Sequence, residues 1–147
     1  MGYYVEYDCS NVTFPKSKGD EVLAAINALH EPTLMKSQAG GGRWESGKQA
    51  DVWYRFTQNP PEGGFTSLEK AFRAWRFNLD QINSEEYSFG WAGEKIGDEE
   101  FFFNVLAPYA TGEIYARGEE GDEWGFRFKD GTLRDLICVK GWIEHGP

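Results

Sequence analysis

The sequence has few of the residues that most often carry enzyme chemistry. It contains two histidines, His30 and His145, and two cysteines, Cys9 and Cys138. The cysteines have no metal-like spacing and lie in apolar strand patterns, so we interpret both as buried free thiols. With so few histidines, we expect neither a histidine-based metal site nor a catalytic triad. The sequence therefore predicts a protein that is not an enzyme and uses no cofactor and no metal.

Long apolar runs are also missing. No window approaches the roughly 18 apolar residues that a membrane-spanning helix needs. The N-terminus, MGYYVEYDCS, lacks the basic region and apolar region of a signal peptide. We therefore expect no membrane partner and a cytoplasmic location. A chain of 147 residues is long enough to bury a core and predicts a single domain, 1–147.

Positive charge is scarce in the C-terminal half. Residues 84–147 carry six Lys or Arg and fourteen Asp or Glu, whereas residues 1–60 carry six and seven. The local net charges are thus −8 and −1, out of −9 for the whole chain. Such an imbalance repels nucleic acid and favours basic partners. Solubility is the alternative explanation for the same acidity.

Aromatic residues are abundant, at 16% of the chain with six Trp. Large aromatic side chains dominate protein cores, and Trp and Tyr also anchor interfaces. Both uses stay open on composition alone.

Hydrophobic periodicity predicts an α+β fold, with an antiparallel, mostly meandering sheet and about three helices packed on one face. Strands are predicted at 2–8, with Val12 and Phe14 as an extension, and at 51–57, 87–91, 114–117, 124–128 and 133–139. Helices are predicted at 20–30, where Pro32 follows, at 66–82, and after Asp98 as their N-terminal cap. The intervening residues 33–50 are expected to form a loop.

The segment 66–82 predicts the longest helix. Thr66 and Glu69 have the spacing of a capping box. An apolar stripe follows at helical spacing, formed by Leu68, Phe72, Trp75, Leu79 and Ile82. Phe77 is the one large apolar residue outside this stripe.

Asp130-Gly131 predicts a tight turn between the last two strands. A two-residue turn would pair Phe126 with Asp135, which is unfavourable on a buried face. We therefore predict a β-bulge near Arg134 and Asp135 that turns Leu136 inward. Phe126 and Trp75 are both expected in the core.

The candidate partner-binding residues are acidic and occupy two stretches, a predicted hairpin tip and the start of a helix. They are Glu119, Glu120, Asp122, Glu123, Asp98, Glu99 and Glu100. The tip lacks the spacing of a calcium-binding loop, so a metal is not expected there. Simple solvation is the alternative interpretation of these carboxylates.

An alternative ligand-binding segment contains Gly41, Gly42, Arg43 and Trp44. Backbone N–H groups of a glycine run can hold a phosphate, and the arginine and tryptophan would add a cation and a stacking ring. The segment lacks the Lys-Ser/Thr of a P-loop. A mobile surface loop at Gly40–Gly42 is the expected structure.

Residues 90–131 contain GEKIGDE at 93–99, LAPY at 106–109 and GEEG at 118–121, followed by Trp124, Phe128 and Gly131. This pattern resembles an uncharacterised family of small acidic proteins carried by phages and prophages. The chain departs from it at 112–115, where GEIY stands in place of Gly-Ser-Tyr-Ile. The resemblance implies an accessory protein of a mobile element, acting in a bacterial host cell, and implies no catalytic residues.

Three functions are consistent with these features. The first is a protein that binds and inhibits a bacterial defence protein with a basic surface, in the manner of an anti-CRISPR or other anti-defence protein, through acidic mimicry of nucleic acid. It would not bind nucleic acid directly. The second is a small-molecule binder that sequesters a nucleotide signal, and the third is a small structural phage protein.

Overall fold

The structure, a computed structural model, describes residues 2–139. Within this range the chain forms four α-helices, nine β-strands and a short 3-10 turn. The helices are α1 Gly19–Leu29, α2 Pro32–Gln38, α3 Leu68–Ala74 and α4 Glu99–Leu106. The strands are β1 Val5–Asp8, β2 Phe14–Pro15, β3 Gly41–Glu45, β4 Lys48–Trp53, β5 Phe77–Gln81, β6 Glu86–Trp91, β7 Gly112–Gly118, β8 Glu123–Lys129 and β9 Thr132–Ile137.

The predicted α+β class with antiparallel strands is confirmed, and the strands divide into three sheets. The largest has the order β1-β7-β8-β9, the second β2-β6-β5, and the third is the hairpin β3-β4. The predicted extension of the first strand through Val12 and Phe14 is wrong, because Phe14 pairs with Tyr87 in the second sheet. The described residues include no helix long and apolar enough to span a bilayer.

The turn at Asp130-Gly131 is as tight as its sequence predicts. Both residues have positive φ, 53° and 76°, which suits a two-residue hairpin turn. The predicted bulge is wrong, because Phe126 pairs with Asp135 in an uninterrupted ladder. Asp135 stays exposed there because β9 is the outer strand of its sheet, so its charge needs no bulge to reach water.

The predicted helix 66–82 is wrong beyond its first half. Helix α3 ends at Ala74, and Arg76 takes a positive φ of 71° that no helix can continue through. Strand β5 follows, and its Phe77 is fully buried opposite Trp91. Ile82, by contrast, is exposed.

The start of α3 also differs from the prediction. Ser67, rather than Thr66, is the N-cap, and its hydroxyl accepts a hydrogen bond from the Lys70 backbone N–H. The helix therefore begins one residue later than the predicted capping box placed it.

The predicted loop at 33–50 is a helix followed by a hairpin. Pro32 begins α2 instead of only ending α1, and the Glu31 carboxylate caps the new helix by accepting from the N–H groups of Thr33 and Leu34. The hairpin turns at Ser46-Gly47, both with positive φ.

Aromatic rings form the centre of the core. Phe102 of α4 stacks against Trp75 and Phe77, with ring centroids 5.4 and 5.3 Å apart. Phe103 joins this cluster to Phe126 of β8 at 5.5 Å. Trp75 and Phe126 are buried, as predicted. Helix α4 thus links the four-stranded sheet to the remaining elements.

The two cysteines differ from each other. Cys9 is buried, as predicted, and burial raises its pKa to about 12. The prediction is wrong for Cys138, which is exposed because it follows the outer strand β9.

His30 is a core residue rather than a surface base. Its Nε2 accepts a hydrogen bond from Trp75 Nε1 at 3.1 Å, and the rings of Tyr54 and Phe65 pack edge-on around it. Burial lowers the pKa of His30 to about 4, and the nearby Asn59 side chain partly opposes this shift. His145 lies outside the described residues.

The lowered pKa of His30 predicts a loss of stability in mild acid. Neutral His30 stabilises the fold fully above the unfolded-state pKa of 6.5, and this contribution is lost as pH falls through about 4. The loss should reach up to about 3 kcal/mol. We expect His30→Gln, measured by urea unfolding from pH 7 to pH 4, to abolish this component. Every carboxylate and His145 are present in both proteins, so parallel stability curves for the two would contradict the assignment.

Candidate functional site

The turn between β7 and β8 carries the most compact group of exposed carboxylates predicted from the sequence. Glu119, Glu120 and Asp122 are exposed, and Gly121 takes the positive φ of 85° that the turn requires. The Gly118 N–H donates to the Asp122 carbonyl at 2.8 Å, which closes the turn. The three carboxyl groups therefore project from one short, closed loop.

The N-terminal segment holds this turn in place. The Glu119 N–H donates to the Tyr4 carbonyl at 3.1 Å, and the Tyr4 N–H donates to the Glu119 carboxylate at 3.2 Å. The Tyr3 hydroxyl donates to the Asp122 carboxylate and accepts from the Glu120 N–H. Hydrogen bonding to Asp122 raises the pKa of Tyr3, so the hydroxyl keeps its proton at neutral pH. The acidic turn is thus ordered before any partner arrives.

Glu123 begins β8 at the edge of the same surface. It forms an ion pair with Arg117 of β7, with 3.3 Å between Nη2 and Oε1, and the Cys138 thiol lies 3.5 Å from its other oxygen. Its charge is therefore shared with a neighbouring arginine.

Two acidic residues that the sequence did not single out lie beside the turn. Glu6 of β1 and Glu94 line a groove of about 520 Å³ together with Glu119. Both are exposed. Antiparallel pairing of β1 with β7 and a hydrogen bond from the Val5 N–H to the Glu94 carbonyl bring them there. Sequence reasoning missed them because these contacts join residues about a hundred positions apart.

The acidic start of α4 does not belong to this surface as a whole, because Asp98 and Glu99 are buried. Asp98 stands at the N-cap position without capping the helix. Its carboxylate instead accepts from the N–H groups of Gly40 and Arg55, both at 2.8 Å, and pairs with the Arg55 guanidinium at 3.0 Å. The prediction that both residues meet a partner is therefore wrong.

Glu99 is the most deeply buried acidic residue in residues 2–139, at 1% exposure. It forms an ion pair with Arg76 and accepts hydrogen bonds from the Tyr7 hydroxyl at 3.1 Å and the Gly97 N–H at 2.9 Å. Burial lowers the pKa of Arg76 to about 10, which still leaves the guanidinium charged at neutral pH. Burial also raises the pKa of Tyr7.

Glu100 is the exception in the α4 start, since it lies at the surface. Desolvation raises its pKa, and the charge of Asp135 adds to the shift. Glu100 therefore faces the β9 side of the four-stranded sheet.

The alternative ligand-binding segment is part of the β3-β4 hairpin, and the expected mobile loop is wrong. Gly41 and Gly42 pair with Trp53 and Val52. The Arg43 guanidinium is held by Asp51 at 2.7 Å and by Glu45 at 2.8 Å. Trp44 is 68% exposed. The hairpin thus offers a surface indole, while its arginine is already neutralised by two carboxylates.

Among the described residues, the Cys9 thiol and the His30 imidazole are enclosed in the core. No three His, Cys, Asp or Glu side chains between 2 and 139 are placed to share a metal ion. Cys9 is protonated and buried, and His30 is enclosed by aromatic rings. What the exposed acidic surface can do chemically is attract and hold cations.

No protein-family model, curated protein or solved structure matches the chain. The resemblance of residues 90–131 to phage and prophage proteins therefore stays a prediction from the quoted motifs.

The buried pair of Arg76 and Glu99 generates a stability prediction. Arg76→Met leaves the Glu99 carboxylate buried without its cation and should cost about 3–5 kcal/mol. Glu99→Leu should cost a similar amount, because it leaves the Arg76 guanidinium buried without its carboxylate. The double variant removes both charges, so its loss, measured by urea unfolding, should be well below the sum of the two single losses. Additive losses would show that the two charges do not depend on each other.

Proposed function

We propose that this chain is a non-enzymatic binding protein that attaches to a basic surface of another protein. The observation that carries the proposal is the fixed conformation of the exposed acidic turn, held by four hydrogen bonds between the turn and Tyr3 and Tyr4. A surface that is ordered beforehand loses less conformational entropy on binding than a flexible one. The turn is therefore suited to recognition rather than to solubility alone.

The surface proposed to meet the partner differs from the one predicted from the sequence. It keeps the turn residues Glu119, Glu120, Asp122 and Glu123, and it gains Glu6 and Glu94 from the adjoining groove. It loses Asp98 and Glu99, which are buried and pair with Arg55 and Arg76. The remaining carboxylates come from β1, the segment before α4 and the β7–β8 turn, so only the folded chain presents them together.

Acidic side chains on an ordered surface can occupy a groove that normally holds phosphates. Basic grooves of nucleic-acid-binding proteins owe much of their affinity to charge neutralisation. The phage-type motifs favour a bacterial host protein of this kind, with inhibition of a defence protein as the outcome. The partner is therefore proposed to be a host protein with a nucleic-acid groove.

The nucleotide-sponge function gains no support from the hairpin that was expected to carry it. A nucleotide would have to displace Asp51 and Glu45 from Arg43, and both are already in hydrogen-bonding contact. A nucleotide could therefore use the Arg43 guanidinium only at the cost of two ion pairs.

Binding through the acidic turn should weaken steeply with salt. The Debye length shortens from about 10 Å at 0.1 M to about 3 Å at 1 M ionic strength. We expect a host protein captured with the purified chain to be released as salt rises from about 50 to about 500 mM. Glu119→Lys with Glu120→Lys should slow association more than it speeds dissociation, as surface plasmon resonance can measure.

The matched control is Asp20→Lys with Glu62→Lys, which changes the net charge equally at two exposed positions away from the turn. This control should bind nearly as well as the unmodified chain. A complex that is indifferent to salt, or equally weakened by both double variants, would argue against a specific role for the turn.

A further inference from the structure

A groove lies on the outer face of the four-stranded sheet. It has a volume of about 730 Å³, within the range of about 300–1,000 Å³ that is typical of ligand sites. Side chains alternate along each strand, so the lining residues Asp8, Tyr115 and Leu136 lie on the face opposite the buried Ile114 and Phe126. The groove therefore opens to solvent on the side away from the core.

One row of paired residues crosses the centre of this groove. Asp8 of β1 pairs with Tyr115 of β7, Tyr115 with Gly125 of β8, and Gly125 with Leu136 of β9. The four positions thus share one face and one level of the sheet. From β1 to β9 they present a carboxylate, a phenol ring, no side chain and an aliphatic group.

Gly125 creates the gap in this row. A Cβ atom at this position would lie 2.5 Å from the Ile114 carbonyl oxygen, which is fixed backbone. The position is therefore restricted to glycine. Its backbone is buried, so the gap is only the side chain that is missing between Tyr115 and Leu136. Neighbouring strands are about 4.8 Å apart, so Tyr115 and Leu136 stand roughly 10 Å apart on either side of the gap.

The Tyr115 ring is held in position on the β7 side. Its hydroxyl donates to the Glu113 carboxylate, which also pairs with Arg127 at 2.8 Å. The hydrogen bond to Glu113 raises the pKa of Tyr115, so the ring stays neutral. About half of the side chain, 48%, remains exposed. A fixed, half-exposed ring face is a preformed contact for a cation.

The charges around the gap are unequal between its two sides. Arg117 and Arg127 are in ion pairs with Glu123 and Glu113. On the β1 side stand Glu6 and Asp8, and neither forms a salt bridge with any residue between 2 and 139. Unneutralised negative charge thus lies directly beside the Tyr115 ring.

We propose that this row is a binding site for a single arginine side chain of a partner protein. The guanidinium stacks on the Tyr115 ring and hydrogen-bonds to the Asp8 carboxylate, while its aliphatic stem crosses Gly125 against Leu136. Arginine fits better than lysine because a planar guanidinium can stack and pair with a carboxylate at the same time. The site deepens the proposed function and rests on it, since it names the residue type that the basic partner supplies.

The experiment titrates ¹⁵N-labelled protein with a synthetic 12-residue peptide of alternating Gly and Arg, and with the matching Gly and Lys peptide. The expected result is a shift of the Gly125 and Leu136 amide signals and tighter binding of the arginine peptide. Asp8→Asn and Tyr115→Leu should each weaken binding of the arginine peptide by about fivefold. Asp20→Asn, with the same change in charge on an exposed part of α1, should leave it unchanged.

A second variant distinguishes loss of the binding site from loss of the folded structure. Leu136→Arg places a guanidinium at the rim of the gap and should abolish peptide binding while retaining the thermal unfolding temperature. Equal binding of the arginine and lysine peptides, with no effect of Asp8→Asn or Tyr115→Leu in folded protein, overturns the arginine site.

The same titration separates this site from the acidic turn. If the peptide shifts the amides of Glu119–Asp122 but not Gly125, the arginine site is overturned and the proposed function stands. Shifts at Gly125 alone support the arginine site and count against the turn. Absence of shifts at both places overturns both proposals.

Discussion

The buried ion pair between Arg76 and Glu99 is the contact on which the arrangement of the described elements depends. It joins the segment between α3 and β5 to the start of α4, and the Tyr7 hydroxyl adds β1. Taking both charges out of water is costly, and the cost is offset only if hydrogen bonds satisfy the rest of each group. Lys95 and Gly97 supply such bonds through their backbone, whereas the Arg76 Nε–H has no hydrogen-bond partner among the described residues. The pair therefore tolerates one arrangement of these elements and penalises others.

The acidic residues of the C-terminal half are partly buried, as Glu99 is in this pair, and partly exposed. Glu99 and Asp98 are themselves buried and pair with Arg76 and Arg55, which leaves Glu100 and the β7–β8 turn to face solvent. A run of acidic residues in the sequence is thus no measure of the acidic surface. The acidic surface consists of the carboxylates that are not buried against an arginine and backbone N–H groups, as Asp98 and Glu99 are.

The sequence predicts elements well where a single periodicity and a local turn signal agree, as at α1, β6 and the Asp130-Gly131 turn. Prediction from the sequence fails where the apolar residues fit both a helical and a strand periodicity. Leu79 continues the helical stripe of Trp75 and also alternates with Phe77 as in a strand. The misplaced Phe77 was the available signal, because a large apolar residue on the polar face of a helix indicates that the helix has ended. The positive φ of Arg76 has no such signal in the sequence, because its side chain contacts Trp91 and Glu99, which lie further along the chain.

The exposed turn residues could be selected from composition. Their fixed conformation could not be predicted, because it depends on hydrogen bonds to Tyr3 and Tyr4, more than a hundred residues away. The fixed conformation of the turn has an energetic consequence. Like charges held close together repel, and the folded chain must oppose this repulsion through the hydrogen bonds that close the turn. A cationic partner removes the repulsion while it gains its own attraction. The fold therefore keeps the carboxylates in an arrangement whose free energy improves most when positive charge arrives.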